Sequence, residues 1–132
     1  MGLPRTLRRP RTRARSLRRC LEALHLCTIL DQIEIIVVDN ASSDGVADWI
    51  TEHVPEAVLT RLDHNSGFGA ANNLAVNLAS GTFICLLNTD AIVGAHWLEP
   101  LLDTARSGNI AVPVFRNLDG SLQEAGCHID AD

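Results

Sequence analysis

The feature that most constrains the fold is the nearly unbroken apolar run IEIIVVD at residues 33–39, which is rich in β-branched side chains. A short run without the polar alternation of a half-exposed strand predicts a strand covered on both faces, as in a parallel sheet. Further apolar runs at residues 57–62, 82–88 and 110–115 predict three more strands. Helix-like segments separate these runs, so the sequence predicts an α/β fold with a mainly parallel sheet and flanking helices.

Four segments beside or between these runs have the apolar periodicity of helices, at residues 16–26, 41–53, 66–80 and 95–107. We expect Ser16 to be the N-cap of the first helix and Ser43 or Asp44 to cap the second, because their side-chain oxygens accept backbone N–H groups. Asp119-Gly120 predicts a turn or hairpin after the last strand. The order of these segments is that of successive βαβ units.

Charge is distributed unevenly along the chain. Residues 1–19 contain eight of the eleven arginines and no acid, while residues 20–132 contain three arginines and all sixteen acids, a formal charge of −13. The negative charge of residues 20–132 argues against nucleic-acid binding, because it would repel phosphates. We expect the arginine-rich residues 1–15 to be disordered or not native to the domain, with peripheral contact to an anionic membrane surface as one use for them. Residues 16–132 are expected to form one partial domain.

The chain has no sequence signal for export or for crossing a membrane. No apolar run approaches the roughly 18 residues that a membrane-spanning helix needs, and no apolar segment follows the basic start as it would in a secretory signal. The four cysteines contain no C-x-x-C pair, which favours reduced thiols that serve as small apolar side chains. A cytoplasmic location is therefore expected.

Three polar stretches follow predicted strands: DNASSD at residues 39–44, HNSGFGAANN at 64–73 and NTD at 88–90. Ligands of parallel sheets bind beyond the carboxyl ends of the strands, so three such stretches at one edge predict a binding site. Asp39 itself has two interpretations of equal weight. Its carboxylate accepts hydrogen bonds from a ligand, or it closes a turn and caps a helix.

Asn88 and Asp90 form the sharper pair. Side chains at positions i and i+2 of a strand end face the same way. One carboxylate with neutral oxygens and water suits Mg²⁺ or Mn²⁺, whose remaining ligands are usually substrate phosphates. The alternative is an Asx-turn that closes the strand.

The stretch from Gly67 to Asn72 is a near match to the dinucleotide fingerprint. Gly67 and Gly69 occupy the first two glycine positions, Asn72 stands where the third glycine belongs, and Asp90 follows at a distance near that of the fingerprint's acid. A dinucleotide-binding oxidoreductase fragment is therefore an alternative function.

Taken in order, IIVVDNASSDG, NSGFGAANN, ICLLNTDAIV and DGSLQEAG resemble the motifs of the family 2 glycosyltransferases. The similarity is greatest to a bacterial branch that includes rhamnosyltransferase-like enzymes of polysaccharide assembly. The resemblance covers about Ser16 to Gly126. It implies a GT-A fold, a Rossmann-like unit that binds a nucleotide-diphospho-sugar. It also implies inverting transfer of the sugar from a UDP- or dTDP-sugar to a saccharide or lipid-linked acceptor.

The resemblance also implies roles for five residues. Asp39 would contact the nucleobase, and Asn72 and Asn73 would lie beside the nucleotide. Asn88, in place of the first acid of a D-x-D motif, would face the ribose or diphosphate, and Asp90 would bind the divalent metal, Mg²⁺ or Mn²⁺.

Two departures from the family pattern lead to a further expectation, that the chain is truncated at both ends. Arginine-rich sequence stands where the family has its first strand, whose loss would leave backbone groups unpaired at about 1–3 kcal/mol each. The family's catalytic base is expected beyond the C-terminus, so no catalytic residue is assigned. A non-catalytic remnant that exposes apolar surface and needs a partner is the other alternative. The intact relative would work in the cytoplasm, at the inner face of the membrane.

Overall fold

The computed structural model describes residues 13–124, which fall into two compact units that divide between Ala95 and His96. The first unit contains, in order, α1 (Arg13–Leu24), a 3-10 turn (Leu30–Gln32), β1 (Ile36–Asp39), α2 (Val46–His53), β2 (Val58–Arg61) and α3 (Phe68–Leu78). The second contains α4 (Leu98–Arg106), β3 (Phe115–Arg116) and β4 (Leu122–Glu124). Within residues 13–124, no helix is both long and apolar enough to cross a bilayer.

The sheet of the first unit is parallel, as the sequence predicts. β1 pairs with β2 in a register that places Ile36 opposite Val58 and Asp39 opposite Arg61. Hydrogen bonds extend the pairing at both ends, from Val58 N to Ile35 O at 2.8 Å and from Leu62 N to Asp39 O at 2.9 Å. α2 connects the two strands and α3 follows them, so the chain forms an α/β unit with flanking helices.

The prediction of a third strand at residues 82–88 is wrong for the described part of the chain. This segment is in no strand there, and Ile84 and Leu86 are 49% and 61% exposed. An apolar run acquires strand hydrogen bonds only from a neighbouring strand. Among residues 13–124, β1 and β2 pair only with each other.

α1 begins earlier than its sequence pattern suggests. It starts at Arg13, so Ser16 lies inside the helix and is not its N-cap, and the domain boundary expected after residue 15 falls within the helix. The backbone N–H of Ala14 donates instead to Asp44 Oδ2 at 3.0 Å. Asp44 Oδ1 accepts the N–H of Val46 at 3.4 Å, although Gly45 is the N-cap of α2. Residues 1–12, the rest of the arginine-rich segment, lie outside the described residues.

The core of the first unit is built largely from α1 and α2. Both helices contribute buried apolar side chains, of which Ile50 is the most buried at 1% exposed; the others include Leu17, Cys20, Leu21, Leu24, Val46 and Ala47. At the surface the two helices meet through Trp49. The Arg18 guanidinium lies 4.8 Å from the centre of the Trp49 ring, and the His53 ring stacks on Trp49 at 4.8 Å.

The second unit confirms the predicted hairpin and corrects the predicted fourth strand. Asn117 and Ser121 pair through a backbone bond of 2.9 Å, and the Asp119 carboxylate accepts both the N–H and the hydroxyl of Ser121. Gly120 follows with a φ of 85°, a conformation that favours glycine. Of residues 110–115, only Phe115 is in a strand, and that strand is the antiparallel arm β3. Ile110, in the same run, is 94% exposed.

Candidate functional site

The loops that follow β1 and β2 meet at the carboxyl edge of the parallel pair. Both strands end at the same level, with Asp39 opposite Arg61, and α3 begins at Phe68 just after the second loop and packs against β1. Parallel strands joined by a helix bring their following loops together at one edge of the sheet. This edge is the candidate functional site.

Asn40 joins the two loops. Its side-chain Oδ1 accepts the Ser66 N–H at 2.8 Å and the Ser66 hydroxyl at 3.2 Å. Its Nδ2 donates to Asn65 Oδ1 at 2.8 Å and to Gly67 O at 3.3 Å. Asn65 Oδ1 also accepts the N–H of Gly67 at 3.0 Å. We call these residues, Asn40 and Asn65 to Gly67, the Asn40 clasp.

Asp39 is the buried carboxylate of this edge, with 8% of its surface exposed. Its Oδ1 accepts the N–H of Ser42 at 2.9 Å, which closes a tight turn. Ala41 inside that turn has a φ of 62°, a left-handed conformation that is uncommon for alanine. Asp39 therefore has the turn-closing contact of its second interpretation, and its contact with a nucleobase stays a prediction.

Asn72 and Asn73 lie in the second turn of α3. Asn72 is half-buried, and its Nδ2 donates to Phe68 O of the same helix at 3.0 Å. Asn73 is exposed. Gly67, the N-cap residue of this helix, has a φ of 87° and makes no side-chain cap. The start of α3 is therefore fixed by the Asn40 clasp and not by a capping side chain of its own.

Asn88 and Asp90 lie beside α1, and both are exposed. The backbone oxygen of Asn88 accepts the N–H of Ala91 at 3.1 Å and the thiol of Cys20 at 3.7 Å. Burial, together with the negative charge of Asp90, raises the pKa of the Cys20 thiol to about 11. The turn is thus closed by the backbone of Asn88 and not by its amide. The hydrogen bonds of the Asn40 clasp do not include this third stretch.

The potential metal ligands around Asp90 fit a site in which substrate and water supply most of the ligands. Within residues 13–124, no group of three or more His, Cys, Asp or Glu side chains is arranged to hold a metal ion. One exposed carboxylate does not make an all-protein cage for zinc or calcium. It does suit a Mg²⁺ or Mn²⁺ ion whose shell is completed by substrate phosphates and water.

Two surface cavities are lined by residues outside the Asn40 clasp, although one of them reaches Arg61 at the end of β2. One, of about 550 Å³, lies beside α2 and β2 and is lined by residues that include Ile50, Val54, Leu59 and Arg61. The other, of about 290 Å³, lies between α1 and α2 and is lined by Leu21, Glu22, His25, Trp49, His53 and Val54. Neither includes a residue predicted to bind nucleotide or metal.

Comparison with known proteins shows the family to which the chain belongs. The sequence profile described as glycosyl transferase family 2 matches residues 11–125, which include the ends of β1 and β2, the Asn40 clasp and the 88–90 turn. The chain belongs to glycosyl transferase family 2. The resemblance to this family and the α/β fold class predicted from the sequence are thereby confirmed, and the family match supports the predicted transferase class.

Three curated relatives have similar levels of identity. EpsH of Bacillus subtilis (strain 168), to which a glycosyltransferase role is assigned, is 31% identical over 118 residues, 88% of this chain and 33% of its own length. Chondroitin synthase of Escherichia coli is 31% identical over 76% of this chain and 15% of its own. The succinoglycan biosynthesis protein ExoO of Rhizobium meliloti (strain 1021) is 31% identical over 66% and 25%.

The family 2 chain therefore spans about a third or less of the length of these relatives. No solved structure matches it. Membership of the family implies a nucleotide-sugar donor and an acceptor, and the family generally depends on a metal ion.

Asn40 belongs to the polar stretch DNASSD that follows the first predicted strand, but it is not among the residues predicted to bind the donor. The signal that points to it is its position. An amide directly after one parallel strand faces the polar loop after the next, and it offers two donors and two acceptor sites to that loop.

Proposed function

We propose that this chain provides the donor-binding part of a glycosyltransferase that builds a polysaccharide or a lipid-linked saccharide. Its ligand is a UDP- or dTDP-sugar, bound at the carboxyl edge of β1 and β2. The observation that carries the proposal is the family match across residues 11–125, which contain every residue assigned to the donor. The polysaccharide acceptor is supported by relatives whose names place them in chondroitin and succinoglycan synthesis.

Each residue of the site has a role in this proposal. Asp39, held at the end of β1, contacts the nucleobase. Asn72 and Asn73 border the nucleotide, and Asn88 faces the ribose or diphosphate. Asp90 holds a Mg²⁺ or Mn²⁺ ion, which when bound neutralises the diphosphate that leaves as the acceptor hydroxyl attacks the anomeric carbon with inversion. The chain would act in the cytoplasm at the inner face of the membrane.

Calorimetric titration tests this function directly. The purified chain is titrated with UDP, dTDP and NAD, each with and without Mn²⁺. We expect UDP or dTDP to bind more tightly with Mn²⁺, and NAD to show no metal-dependent binding. Preferential binding of NAD would overturn the proposal in favour of the dinucleotide alternative, which rests on the imperfect glycine pattern at Gly67 and Gly69.

The Asp90→Asn variant locates the metal. It keeps the size of the side chain and removes the charge, so we expect it to abolish the gain in affinity from Mn²⁺. Asp31→Asn, at another exposed acid of the same unit, is the matched control and should retain the gain. Equal Mn²⁺ dependence in both variants would contradict the assignment of Asp90.

A second candidate is a non-catalytic domain that binds donor only when a partner completes it. Two observations favour it: β1 pairs along one edge alone among the described residues, and several large apolar side chains of the first unit are exposed, namely Phe68, Phe83, Ile84, Leu86 and Ile92. An isolated chain that is folded, associates with itself and binds neither UDP nor dTDP would favour this candidate over the first.

A further inference from the structure

Asn40 has used its hydrogen-bonding capacity within the protein. Its amide oxygen has two donors, both on Ser66, and its amide nitrogen has two acceptors, Asn65 Oδ1 and Gly67 O. These partners are consecutive residues, 25 to 27 positions further along the chain. An asparagine side chain has two donor hydrogens and two acceptor lone pairs, so little remains for a ligand. Asn40 therefore acts on the loop and not on a bound molecule.

The loop held by Asn40 leads directly into α3. Gly67 is the N-cap residue of that helix, and its φ of 87° is one that other residues rarely adopt. The clasp holds Gly67 from two sides, through its carbonyl to Asn40 and through its N–H to Asn65. At its other end, the clasp begins one residue after Asp39. It therefore sets the distance between the buried carboxylate and the first turn of α3.

The clasp is separate from the core that stabilises the unit. Asn65 and Gly67 are exposed and Ser66 is half-buried, whereas the buried apolar side chains come mainly from α1 and α2. Releasing an exposed loop opens it locally without unfolding the core. A change at Asn40 should thus alter the shape of the edge more than the stability of the fold.

We propose that Asn40 is a positioning residue that fixes the 65–67 loop and the start of α3 in the arrangement that binds the nucleoside diphosphate. The inference rests on the proposed function, since it assumes that the donor binds at this edge. Without the clasp, the loop must be ordered when the ligand arrives. The ordering cost then appears as lost affinity.

Two variants of Asn40 test the proposal. Asn40→Ala removes all four hydrogen bonds, and we expect about a tenfold weaker affinity for UDP or dTDP. Hydrogen exchange at the amides of Ser66 and Gly67 should become faster at the same time. Asn77→Ala, at an exposed position of α3, is the matched control and should change neither measurement.

Asn40→Asp adds a second measurement, the pH dependence of the affinity for UDP or dTDP. A residue that only stabilises the fold would not change this pH dependence. At neutral pH the introduced carboxylate faces Asn65 Oδ1 and Gly67 O with no hydrogen to donate, so binding weakens. A protonated carboxyl has one donor hydrogen where the amide has two, and its other oxygen still accepts, so it restores one of the two donated hydrogen bonds. Its affinity relative to the unaltered chain should therefore recover as the pH falls through the pKa of that carboxyl.

The outcomes separate the two claims. If the unaltered chain binds neither UDP nor dTDP, the proposed function fails and the inference fails with it. If the unaltered chain binds and Asn40→Ala binds with the same dissociation constant, only the inference fails. The same holds if Asn40→Asp shows no relative recovery at low pH.

Discussion

Cys20 shows how a single residue connects the 88–90 turn with the core. Its side chain is 3% exposed, its thiol donates to Asn88 O, and both burial and the Asp90 charge disfavour the thiolate. A thiol whose pKa is raised to about 11 is almost entirely protonated at neutral pH. Cys20 is therefore a packing residue of α1 and not a nucleophile.

This protection predicts slow alkylation of Cys20. Because the thiolate is the reacting form, the native chain treated with iodoacetamide at pH 8 should leave Cys20 largely unmodified, whereas the chain in concentrated guanidinium should be modified fully. Peptide mass mapping after a fixed reaction time measures the two fractions. Equal modification in the native and denatured chains would show that Cys20 is not held against Asn88 and Asp90.

At the scale of elements, the end of α1 is tied to the loop after α2 by His25 and Glu56. His25 Nδ1 lies 2.7 Å from Leu21 O, and its Nε2 lies 2.6 Å from Glu56 Oε1. The hydrogen bond to Leu21, with help from Glu56, raises the pKa of His25 despite partial burial. A hydrogen bond from its own backbone, together with His25, lowers the pKa of Glu56. The contact therefore favours the charged form of both side chains.

The pH dependence of this contact has a definite sign. The raised pKa of His25 gives stability that is present below its ordinary value of 6.5 and lost as the pH rises through the folded-state value. The lowered pKa of Glu56 gives stability present above its ordinary value of 4.5 and lost at lower pH. The contribution is therefore largest between these two ordinary values.

We expect His25→Gln to lower the free energy of unfolding more at pH 5.5 than at pH 8.5. The effect should be small, because both side chains are substantially exposed. Urea unfolding of the two chains at each pH measures it. Glu56→Gln should give a similar loss at pH 5.5. A loss that is larger at pH 8.5 would contradict the charged contact.

The apolar periodicity of the sequence predicted most of the helices and strands, but it did not predict which strands pair with each other. The runs at residues 33–39 and 57–62 do pair, because α2 between them brings the second strand alongside the first in a parallel direction. The run at 82–88 is also mainly apolar but has no paired neighbour in the described chain, and its apolar pattern alone does not show whether a partner strand is present. For the site, the polar stretches were visible in the sequence. The position of Asn40 directly after a strand marks it as a candidate in the sequence, but its hydrogen bonds depend on which loops lie side by side, and the sequence does not give that arrangement.

At the scale of the whole molecule, the exposed apolar side chains of the first unit predict self-association. Ile84 and Leu86 are 49% and 61% exposed in a segment of strand-like composition. Such surfaces usually mark interaction sites or aggregation. Sedimentation equilibrium should show an apparent mass that rises with concentration.

The paired change Ile84→Ser and Leu86→Ser should reduce this rise without altering the far-ultraviolet circular dichroism. Leu26→Ser, at an apolar residue 73% exposed just after α1, is the control and should leave association unchanged. An unaltered chain that remains monomeric over the whole concentration range would contradict the prediction, and it would also weaken the second candidate function.

The Asp44 carboxylate has a consequence for how the chain is assembled. One oxygen accepts the N–H of Ala14 and the other accepts the N–H of Val46. Two helices that start about thirty residues apart are therefore bound to the same carboxylate. During synthesis from the N-terminus, the opening turn of α1 emerges well before the residue that completes it. The hydrogen bond from Ala14 to Asp44 can form only after the chain beyond β1 has been synthesised. The first turn of α1 is therefore completed late in folding, although it comes first in the sequence.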